Sequence, residues 1–413
     1  MELVVQKYGG MSLATAEHIR AAAHRVARLR ASGTNVIVVV SAMGSTTDRL
    51  IELAYSVSRK PNRRELDMLL STGERVSMSL FSMALSDALL ELIPEAKAIS
   101  FTGSQAGIFT DENHSNARII DIKSIRVQQE LSRGNVVILA GFQGVSPVTK
   151  EITTLGRGGT DVTAVALAAA FRATRCEILK EVPGVLSADP KLVPSARPLQ
   201  NLTHAQLLEM TFWGAKVLHY RSVELAATHS VPLVVGLAHP AANKTNLTNV
   251  KTNSSFPEGA NVQTPTPNFE NKSILAVTSH GDVRSVAVIG NSLSQGISLL
   301  RETLRGQSLP SPQIIDASFE GGKLEILMTA PAEVLEAQIL ALKATKVFQV
   351  DSMQRSTVTV TCQGSYATDL VDNFLTKLEA VKIRPERVFF GPLSITFLVQ
   401  DEQRAESVKI LHD

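Results

Sequence analysis

The chain has 413 residues, of which 44% are hydrophobic and 19% charged, so it is long enough for two or three globular domains with a large buried core. Its 41 basic and 39 acidic residues are scattered along the sequence and leave a formal net charge of +2. This balance argues against a nucleic-acid-binding or membrane-binding surface that depends on bulk charge, so any anion-binding site must be local.

The N-terminus enters a strand-like run at once, with no basic region ahead of a long apolar segment, and no eighteen consecutive residues are apolar. We therefore expect a cytoplasmic protein without membrane-spanning segments. The two cysteines, Cys176 and Cys362, lie far apart in apolar runs, which predicts buried thiols and neither a disulfide nor a zinc site.

Short, apolar, β-branched runs recur through the first part of the chain, each followed by a glycine-rich or hydroxyl-rich turn and a helical pattern. This alternation predicts an α/β domain with a mainly parallel sheet between helix layers. The predicted strands are Leu3–Gln6, Val36–Val40, Val136–Ala140, Cys176–Leu179 and Val231–Val235. Ligands bind beyond the carboxyl ends of such strands, so the turns GGMS (9–12), SAMGSTTD (41–48) and GFQG (141–144) are expected to converge on one site.

The run TTLGRGGTD (153–161) places three glycines, Arg157 and Asp161 just before an alanine-rich, apolar segment that predicts a buried helix over Val162–Phe171. Thr160 or Asp161 is the predicted N-cap. The helix N-terminus and the glycine loop would stabilise a phosphate or carboxylate, and Asp161 would hold a cation or a substrate ammonium. The alternative is an ordinary turn before a buried helix.

From about Ala238 to Ser273 the composition changes to Asn, Thr, Pro and Ser, which is typical of a linker. We therefore predict a first domain over 1–240, a linker over 241–273 and a second region over 274–413. In that region two β-β-α patterns follow one another and predict a pair of small ferredoxin-like modules. The predicted strands are Ile274–His280, Arg284–Gly290, Gln313–Phe319, Lys323–Thr329, Val347–Met353, Thr357–Gln363, Arg387–Phe390 and Ser394–Val399. The predicted helices are Leu293–Arg305, Ala332–Lys343, Tyr366–Leu378 and one at the C-terminus.

Several spaced motifs together resemble the aspartokinases of the amino-acid kinase family, and the resemblance covers nearly the whole chain. These motifs are VQKYGG (5–10), VVVSAMGSTTD (38–48), STGE (71–74), FTGSQAGI (101–108), GFQGV (141–145), TTLGRGGTD (153–161), SADP (187–190) and GAKVLH (214–219). The resemblance implies an amino-acid kinase fold followed by two ferredoxin-like ACT modules. It also implies transfer of the γ-phosphoryl group of Mg-ATP to the side-chain carboxylate of aspartate.

On the nucleotide side, Lys7 with Gly9 and Gly10 fits the need of phosphoryl transfer for positive charge and close backbone approach. The alternative for Lys7 is a solvated lysine at a strand end. By resemblance Lys7 and Asp161 are the expected catalytic residues. The other expected nucleotide-binding residues are Ser12, Lys180, Glu181, Leu186, Lys191 and Lys216.

The amino-acid substrate carries an ammonium and two carboxylates, so its pocket needs both signs of charge. Glu74 and Asp161 would supply the negative side, and Arg157 a fork for carboxylate. The remaining expected substrate-binding residues are Ser41, Thr47, Gly158, Gly159 and Thr160. For Glu74 the alternative is a helix N-terminal glutamate, because STGE resembles a capping box. His219 and Trp213 are expected to be structural, and no His or Cys cluster suggests a metal beyond the Mg²⁺ that accompanies ATP.

Three departures from the family pattern fall on the nucleotide side. Met11 stands where Thr or Ser usually follows the glycine pair, and Lys191 replaces an Arg. The segment Lys180–Leu186 reads KEVPGVL where the family usually has Thr-Asp or Ser-Asp followed by Val-Asp-Gly-Val-Tyr. Two alternatives to an active aspartate kinase therefore stay open: a non-catalytic, amino-acid-binding regulatory homologue, and a kinase for a related amino acid.

The resemblance also implies feedback control, because ACT modules of this family commonly bind lysine or threonine. The Pro-Gly that often marks their first turn is missing here, although Gly290, Gly296 and Gly364 are candidates for the turns. The alternative is that these modules only dimerise the protein. In both cases we expect a homo-oligomer formed through the ACT modules.

Overall fold

The computed structural model describes residues 2–239, 247–251, 274–289, 292–306, 311–351, 353–362 and 368–413. Two compact units divide the chain. The first comprises Met1–Leu186, Pro198–Thr211 and Lys216–Val262, and the second comprises Ser187–Arg197, Phe212–Ala215 and Gln263–Asp413.

The first unit combines fourteen strands and seven α-helices within the described residues. The strands are β1 (Leu3–Tyr8), β2 (Asn35–Val40), β3 (Ala98–Phe101), β4 (Ile108–Thr110), β5 (Ile119–Ile122), β6 (Val136–Ala140), β7 (Gln143–Val145), β8 (Ile152–Thr154), β9 (Arg175–Lys180), β10 (Val185–Leu186), β11 (Pro198–Leu199), β12 (Asn201–Thr203), β13 (Leu233–Leu237) and β14 (Leu247–Lys251). The helices are α1 (Ala16–Ala31), α2 (Thr46–Val57), α3 (Arg63–Leu92), α4 (Ile125–Ser132), α5 (Gly159–Ala170), α6 (His204–Phe212) and α7 (Tyr220–Thr228).

An eight-stranded sheet in the order β12-β14-β13-β9-β1-β2-β6-β3 forms the centre of this unit. The strands β13, β9, β1, β2, β6 and β3 are parallel to their neighbours in that series, and only β13 with β14 is antiparallel. The parallel sheet predicted from the apolar runs is confirmed. A smaller sheet in the order β5-β4-β7-β8 was not predicted, because its strands are only three or four residues long.

Helices cover the central sheet on both faces. Val26 of α1 and Phe81 of α3 pack in one cluster with Val36 of β2. The next residue, Ile37, is equally buried and points to the opposite face, where α5 packs against β1, β2 and β9. All residues from Gly159 to Ala168 of α5 are buried, as predicted from its apolar sequence.

Most of the predicted linker, 241–273, lies outside the described residues, but its segment Leu247–Lys251 is the strand β14 and not linker. Burial alternates along this strand: Thr248 and Val250 are buried, and Leu247, Asn249 and Lys251 are exposed. One face of a polar-looking strand therefore contributes to the core.

The second unit consists mainly of a seven-stranded sheet with four helices among its described residues. The strands are β15 (Ile274–Ile289), β16 (Gln313–Glu320), β17 (Lys323–Thr329), β18 (Phe348–Val350), β19 (Arg355–Cys362), β20 (Arg387–Phe390) and β21 (Ser394–Gln400). The helices are α8 (Leu293–Gly306), α9 (Ala332–Ala344), α10 (Thr368–Ala380) and α11 (Arg404–His412). The order is β16-β17-β15-β19-β21-β20, with β18 also paired to β15, and all pairs are antiparallel.

The two strands predicted over Ile274–His280 and Arg284–Gly290 are one continuous strand, β15, and that prediction was wrong. A register shift between His280 and Val283, where Asp282 has a φ of 57°, bends the strand without ending it. The suggested turn residues Gly290 and Gly364 lie outside the described residues, whereas Gly296 is buried within α8.

Two hydrophobic clusters within this unit support a pair of modules that share β15. Val286 of β15 packs with Leu300 of α8 and Leu335 of α9. In the second cluster Val277 of the same strand packs with Phe374 of α10 and Leu411 of α11. This antiparallel architecture agrees with the predicted paired ACT modules.

Both cysteines are buried free thiols, as predicted. Of the helices in the described ranges, none has the length and apolarity needed to cross a bilayer.

Candidate active site

The turns after β1 and β2 meet at the carboxyl end of the central sheet. The N–H of Ser41 donates to the carbonyl oxygen of Tyr8 at 3.2 Å, and the N–H of Gly44 donates to that of Gly10 at 2.9 Å. A Cβ on Gly10 would lie 2.7 Å from the carbonyl oxygen of Ala42, so only glycine permits this approach. The predicted convergence is therefore present for these two turns, and Gly141 of the third turn, GFQG, lies against Thr160.

Three charged side chains meet where β1, β9 and α5 adjoin. The Lys7 ammonium lies 2.6 Å from Oδ1 of Asp161, and the Lys180 ammonium lies 3.5 Å from Oδ2 of the same carboxylate. Burial alone would raise the pKa of Asp161, but Lys180 and Lys7 hold that pKa well below its ordinary value. Asp161 is therefore an ionised carboxylate between two ammonium groups.

The helix α5 begins at Gly159, three residues before the predicted start, and its N-cap is Gly158 in the left-handed conformation with a φ of 72°. The prediction of Thr160 or Asp161 as N-cap was wrong, since both lie in the first turn of the helix. Gly158 makes this earlier start possible because its left-handed backbone turns the chain into the helix without a side-chain cap. The N–H of Gly159 donates to the carbonyl oxygen of Gly156 at 2.9 Å, so the first turn of α5 adjoins the glycine loop, as expected.

Gly158 also lies against His219. A Cβ on Gly158 would come within 2.2 Å of the His219 Cβ, so a larger residue would displace one of these two backbones. His219 is the N-cap of α7, where its Nδ1 accepts a hydrogen bond from the N–H of Arg221 at 3.3 Å. Burial, followed by the charge of Arg221, lowers the pKa of His219. The predicted structural role of His219 is supported, and the residue also borders the glycine loop.

Glu74 lies in the middle of the 30-residue helix α3, and only 3% of its surface is exposed. The alternative of a helix N-terminal capping box was therefore wrong. Its Oε1 accepts the N–H of Ala42 at 3.1 Å, whereas Oε2 is buried with no hydrogen-bond partner among the described residues. Burial raises the pKa of Glu74 to about 7, although the Ala42 N–H and Lys7 act in the opposite direction. A buried carboxyl oxygen without a partner is suited to receive a substrate ammonium.

The remaining predicted substrate residues lie on the turns after β2 and β8 or in the first turn of the helix that follows. Ser41 is half-buried directly after β2, and Thr47 is half-buried in the first turn of α2. Thr160 is buried against Gly141, where a Cβ would lie 2.5 Å from the Thr160 Cγ2. Arg157 is exposed in the glycine loop.

The predicted nucleotide residues divide into two groups. Lys180 reaches the Asp161 centre, and Ser12 is buried with a hydroxyl that has no partner within the described part of the chain. In contrast, Glu181 and Lys216 are exposed, and Leu186 pairs with Pro198 in the short ribbon of β10 and β11. Lys191 is exposed and belongs to the second unit.

Sequence reasoning missed Asp67, a fully buried carboxylate on α3. Its oxygens accept hydrogen bonds from the Ser115 N–H at 3.0 Å and from the Thr154 hydroxyl at 2.5 Å, and His114 Nδ1 lies at 2.7 Å. Asp67 precedes Glu74 by two helical turns and so shares its helix face, and this spacing was the available signal. The network fixes the end of β8, from which the glycine loop departs.

Arg221 of α7 holds the same loop from another side. Its guanidinium donates to the carbonyl oxygens of Leu155 at 2.7 Å and Ala117 at 3.1 Å, and to Oδ1 of Asn116 at 3.2 Å. Five donors in a rigid fork allow one arginine to bind three acceptors in this way. The glycine loop is therefore positioned by side chains from both α3 and α7.

Comparison with known proteins agrees with this geometry. Residues 2–236 match the amino acid kinase family model. The aspartokinase of Corynebacterium glutamicum is 52% identical over 235 residues, which make up 57% of this chain but only 54% of that protein. The aspartokinase of Corynebacterium efficiens is 36% identical over an alignment that covers 100% of this chain and 96% of the relative.

Among solved structures, Escherichia coli aspartokinase III in complex with aspartate and ADP, in the R-state, matches 100% of this chain with 99% of its own, at a TM-score of 0.77 and 22% identity. The same enzyme in complex with lysine and aspartate, in the T-state, matches with a TM-score of 0.69 and 21% identity, again over 100% and 99% of the two chains. These two likenesses concern the fold, and the sequence relatives carry the family assignment. The chain belongs to the amino acid kinase family and, within it, to the aspartokinases.

Proposed function

We propose that this protein is an aspartate kinase, which transfers the γ-phosphoryl group of ATP to the side-chain carboxylate of L-aspartate and forms 4-phospho-L-aspartate. This is the first step toward lysine, threonine and methionine, and we place it in the cytoplasm. The observation that carries the proposal is the buried grouping of Lys7, Asp161 and Glu74 at the carboxyl end of β1 and the N-terminus of α5. It offers both signs of charge to a small amino acid and positive charge to a phosphate.

The amino-acid side of the site centres on Glu74 and the glycine loop. In our proposal the unpartnered Oε2 of Glu74 receives the aspartate ammonium. Arg157 and the N–H groups at the start of α5 bind carboxylate. The further substrate contacts that we propose are the hydroxyls of Ser41, Thr47 and Thr160 and the backbone of Gly158 and Gly159.

The phosphate side centres on Lys7 and the turn that follows β1. A Cβ on Gly9 would lie 3.8 Å from both the Lys7 Nζ and the Ser12 Oγ, so its absence leaves space between these two groups. The Ser12 hydroxyl has no hydrogen-bond partner among the described residues. The N–H of Gly9 is already bonded to the carbonyl oxygen of Leu179 at 3.1 Å, so Gly9 contributes space and not a donor. Gly10 keeps the adjoining turns close, and we propose Lys216 as a further nucleotide contact.

The chemistry needs no general base, because the attacking group is already a carboxylate. One of its oxygens forms a bond to the γ-phosphorus while the bond from that phosphorus to the β-phosphate oxygen breaks, and ADP leaves. Lys7 neutralises charge on the equatorial oxygens, and Asp161 holds the Lys7 ammonium in place. Mg²⁺ would enter with the ATP phosphates and reduce their charge, in keeping with its usual coordination by phosphate oxygens and water.

Trapping the acyl phosphate tests this proposal directly. The protein is incubated with aspartate, hydroxylamine and either Mg-ATP or Mg-GTP, and aspartyl hydroxamate is measured. We expect hydroxamate with at least one nucleotide, and its loss in Lys7→Met. No product with either nucleotide at stoichiometric enzyme would reject the proposal.

The departures at Met11 and Lys180–Leu186 keep two alternatives under test: a non-catalytic homologue that retains the amino-acid pocket, and a kinase for a related amino acid. Met11, where the family usually has a hydroxyl, is 62% exposed and therefore contributes little to packing. Calorimetry separates the two functions: aspartate binding without nucleotide binding favours the regulatory homologue, whereas tight ATP binding opposes it. Substituting other amino acids for aspartate in the trapping assay tests for a kinase of a related amino acid.

We propose that residues 1–240 carry the kinase chemistry and that 274–413 form a regulatory ACT region through which the protein assembles into a homo-oligomer. A lysine complex is known for Escherichia coli aspartokinase III, which supports lysine as an effector, with threonine as the second candidate. Addition of lysine or threonine should lower activity and raise the melting temperature, because an effector that binds the folded state stabilises it. Unchanged activity and melting temperature would leave the modules a role in dimerisation only.

A further inference from the structure

Lys180 departs from the family pattern at a position that usually carries Thr or Ser, yet its side chain reaches the charged centre of the site. Its ammonium lies 3.5 Å from Asp161 Oδ2, while Lys7 lies 2.6 Å from Oδ1. Two lysine side chains thus share the Asp161 carboxylate, and burial lowers the pKa of Lys180. An anionic group brought to this centre would favour the charged form of both lysines.

The strand register explains how Lys180 reaches this point. β1 and β9 are parallel neighbours, and Tyr8 is the register partner of Leu179. Lys180 is therefore level with Gly9, whose missing side chain leaves room beside the Lys7 ammonium. A residue with the length of lysine at this strand end lies against the space that we assign to phosphate.

The two lysines are not equivalent. The Lys7 side chain is 7% exposed and makes the shorter contact, whereas the Lys180 side chain is 23% exposed and makes the longer one. Lys180 is thus the lysine that can turn from Asp161 to a ligand while Asp161 keeps its partner in Lys7. Charge repulsion between the two ammonium groups favours such a movement when an anion arrives.

We propose that Lys180 binds the transferred phosphoryl group, as a second ammonium beside Lys7. This inference rests on the proposed kinase function and refines the role of Lys180 from a contact of the nucleotide pocket to a contact of the reacting phosphate. Charge on the equatorial oxygens of the phosphoryl group is what such a lysine stabilises during in-line transfer. The substitution at residue 180 then adds a phosphate contact close to the turn where Met11 lacks the usual hydroxyl.

The test compares Lys180→Met, Lys180→Arg and the wild-type protein in the hydroxamate assay and in calorimetry with Mg-ATP and Mg-ADP. We expect Lys180→Met to lower kcat by about 10- to 100-fold, to weaken ATP binding more than ADP binding, and to change KM for aspartate by less than about threefold. Lys180→Arg keeps the charge and should retain most of the activity. Lys123→Met is the matched control, because it removes an ion pair of similar length, 3.4 Å to Asp121, at the surface.

The possible outcomes distinguish a phosphate-binding role of Lys180 from a purely structural one. Wild-type kcat and ATP affinity in Lys180→Met overturn the inference but leave the kinase function intact. Weaker aspartate binding and a lower melting temperature, with unchanged ATP binding, show instead that Lys180 only supports Asp161. If the wild type forms no hydroxamate, the kinase function fails, and a loss of ATP affinity in Lys180→Met still supports the phosphate contact. A wild-type protein that binds no ATP overturns both.

Discussion

Lys7 and Asp161 form a buried ion pair 2.6 Å long that joins the end of β1 to the first turn of α5. β1 leads into the glycine turn that we assign to phosphate, and α5 follows the glycine loop that we assign to the amino acid. The same contact therefore fixes the two halves of the proposed reaction against each other. A change at either residue should affect both stability and turnover.

Asp161→Asn should show this double effect. The substitution leaves the Lys7 and Lys180 ammonium groups adjacent without a carboxylate, so we expect a loss of about 3 kcal/mol in the free energy of unfolding. Hydroxamate formation should fall by at least about 100-fold, because Lys7 is no longer held in place. Urea denaturation and the trapping assay measure the two effects. Asp87→Asn, on the exposed face of α3, is the control, and equal behaviour of both variants would contradict the role of the ion pair.

Glu74 predicts a pH dependence of stability. Burial raises its pKa from 4.5 to about 7, so the fold favours the protonated carboxyl. The corresponding stabilisation is complete below about pH 4.5 and is lost as the pH rises through about 7. Glu74→Gln stays neutral, so its free energy of unfolding relative to wild type should increase by about 3 kcal/mol between pH 4.5 and pH 8. Glu91→Gln, exposed on the same helix, should show no such change, and a pH-independent difference for Glu74→Gln would refute the prediction.

The role of Gly158 in the glycine loop can be tested against Gly33, a control glycine outside the loop. Both have a positive φ, 72° and 91°, but a Cβ on Gly158 would lie 2.2 Å from the His219 Cβ, whereas a Cβ on Gly33 meets no atom of the described residues within 4 Å. Gly33→Ala should cost about 1 kcal/mol, from backbone strain alone. Gly158→Ala should cost more and should also raise KM for aspartate, because the loop has to move. Thermal unfolding and steady-state kinetics of both variants decide this, and equal losses would show that the His219 contact is unimportant.

Asp67 should matter although we assign it no contact with substrate. Asp67→Ala leaves the donors of the half-buried Ser115 and the buried Thr154 without their acceptor, and we expect a loss of about 3 kcal/mol in the free energy of unfolding. Thr154→Val removes only one of these bonds and should cost about 1 kcal/mol. Activity should fall in the same order, because the glycine loop departs from β8. If Asp67→Ala loses no more stability than Thr154→Val, the network does not position the loop.

Met11→Ser tests the turn after β1. The residue is 62% exposed, so the change should leave the melting temperature almost unaltered. A serine would restore the hydroxyl common in the family, and one hydrogen bond to a charged phosphate would raise ATP affinity by about tenfold. Calorimetry with Mg-ATP measures the gain, with Met83→Ser, an equally exposed methionine at 65%, as control. If the ATP affinity of Met11→Ser does not increase, the phosphates do not contact this turn.

The sequence predicted the parallel strands well, because continuous apolar runs between helices have few other structures open to them. The capping-box alternative gave the wrong local setting for Glu74. STGE matches the start of a helix, but the structure places it in the interior of α3. Glycine is needed at residue 73 because a Cβ there would lie 2.9 Å from the Cβ of Ala42, on the turn after β2. That contact is invisible in local sequence.

The predicted start of α5 was wrong for a similar reason. Capping preferences favour Thr160 or Asp161 as the N-cap. The N-cap is instead Gly158, where only glycine fits because a Cβ would clash with His219, about sixty residues away in sequence. Asp67 was missed because its partners are also distant in sequence. Motifs thus located the charged residues of the site, while the contacts that position them depend on the fold.

The interior position of β1 has a kinetic consequence for Lys7. With β9 on one side and β2 on the other, the amide hydrogens of this strand should exchange with solvent only when the whole unit opens. Hydrogen exchange near Lys7 should therefore be as slow as global unfolding, while the exposed end of the glycine loop exchanges sooner. Heat inactivation would then begin in the glycine loop that we assign to the amino acid, well before β1, the strand of Lys7, unfolds.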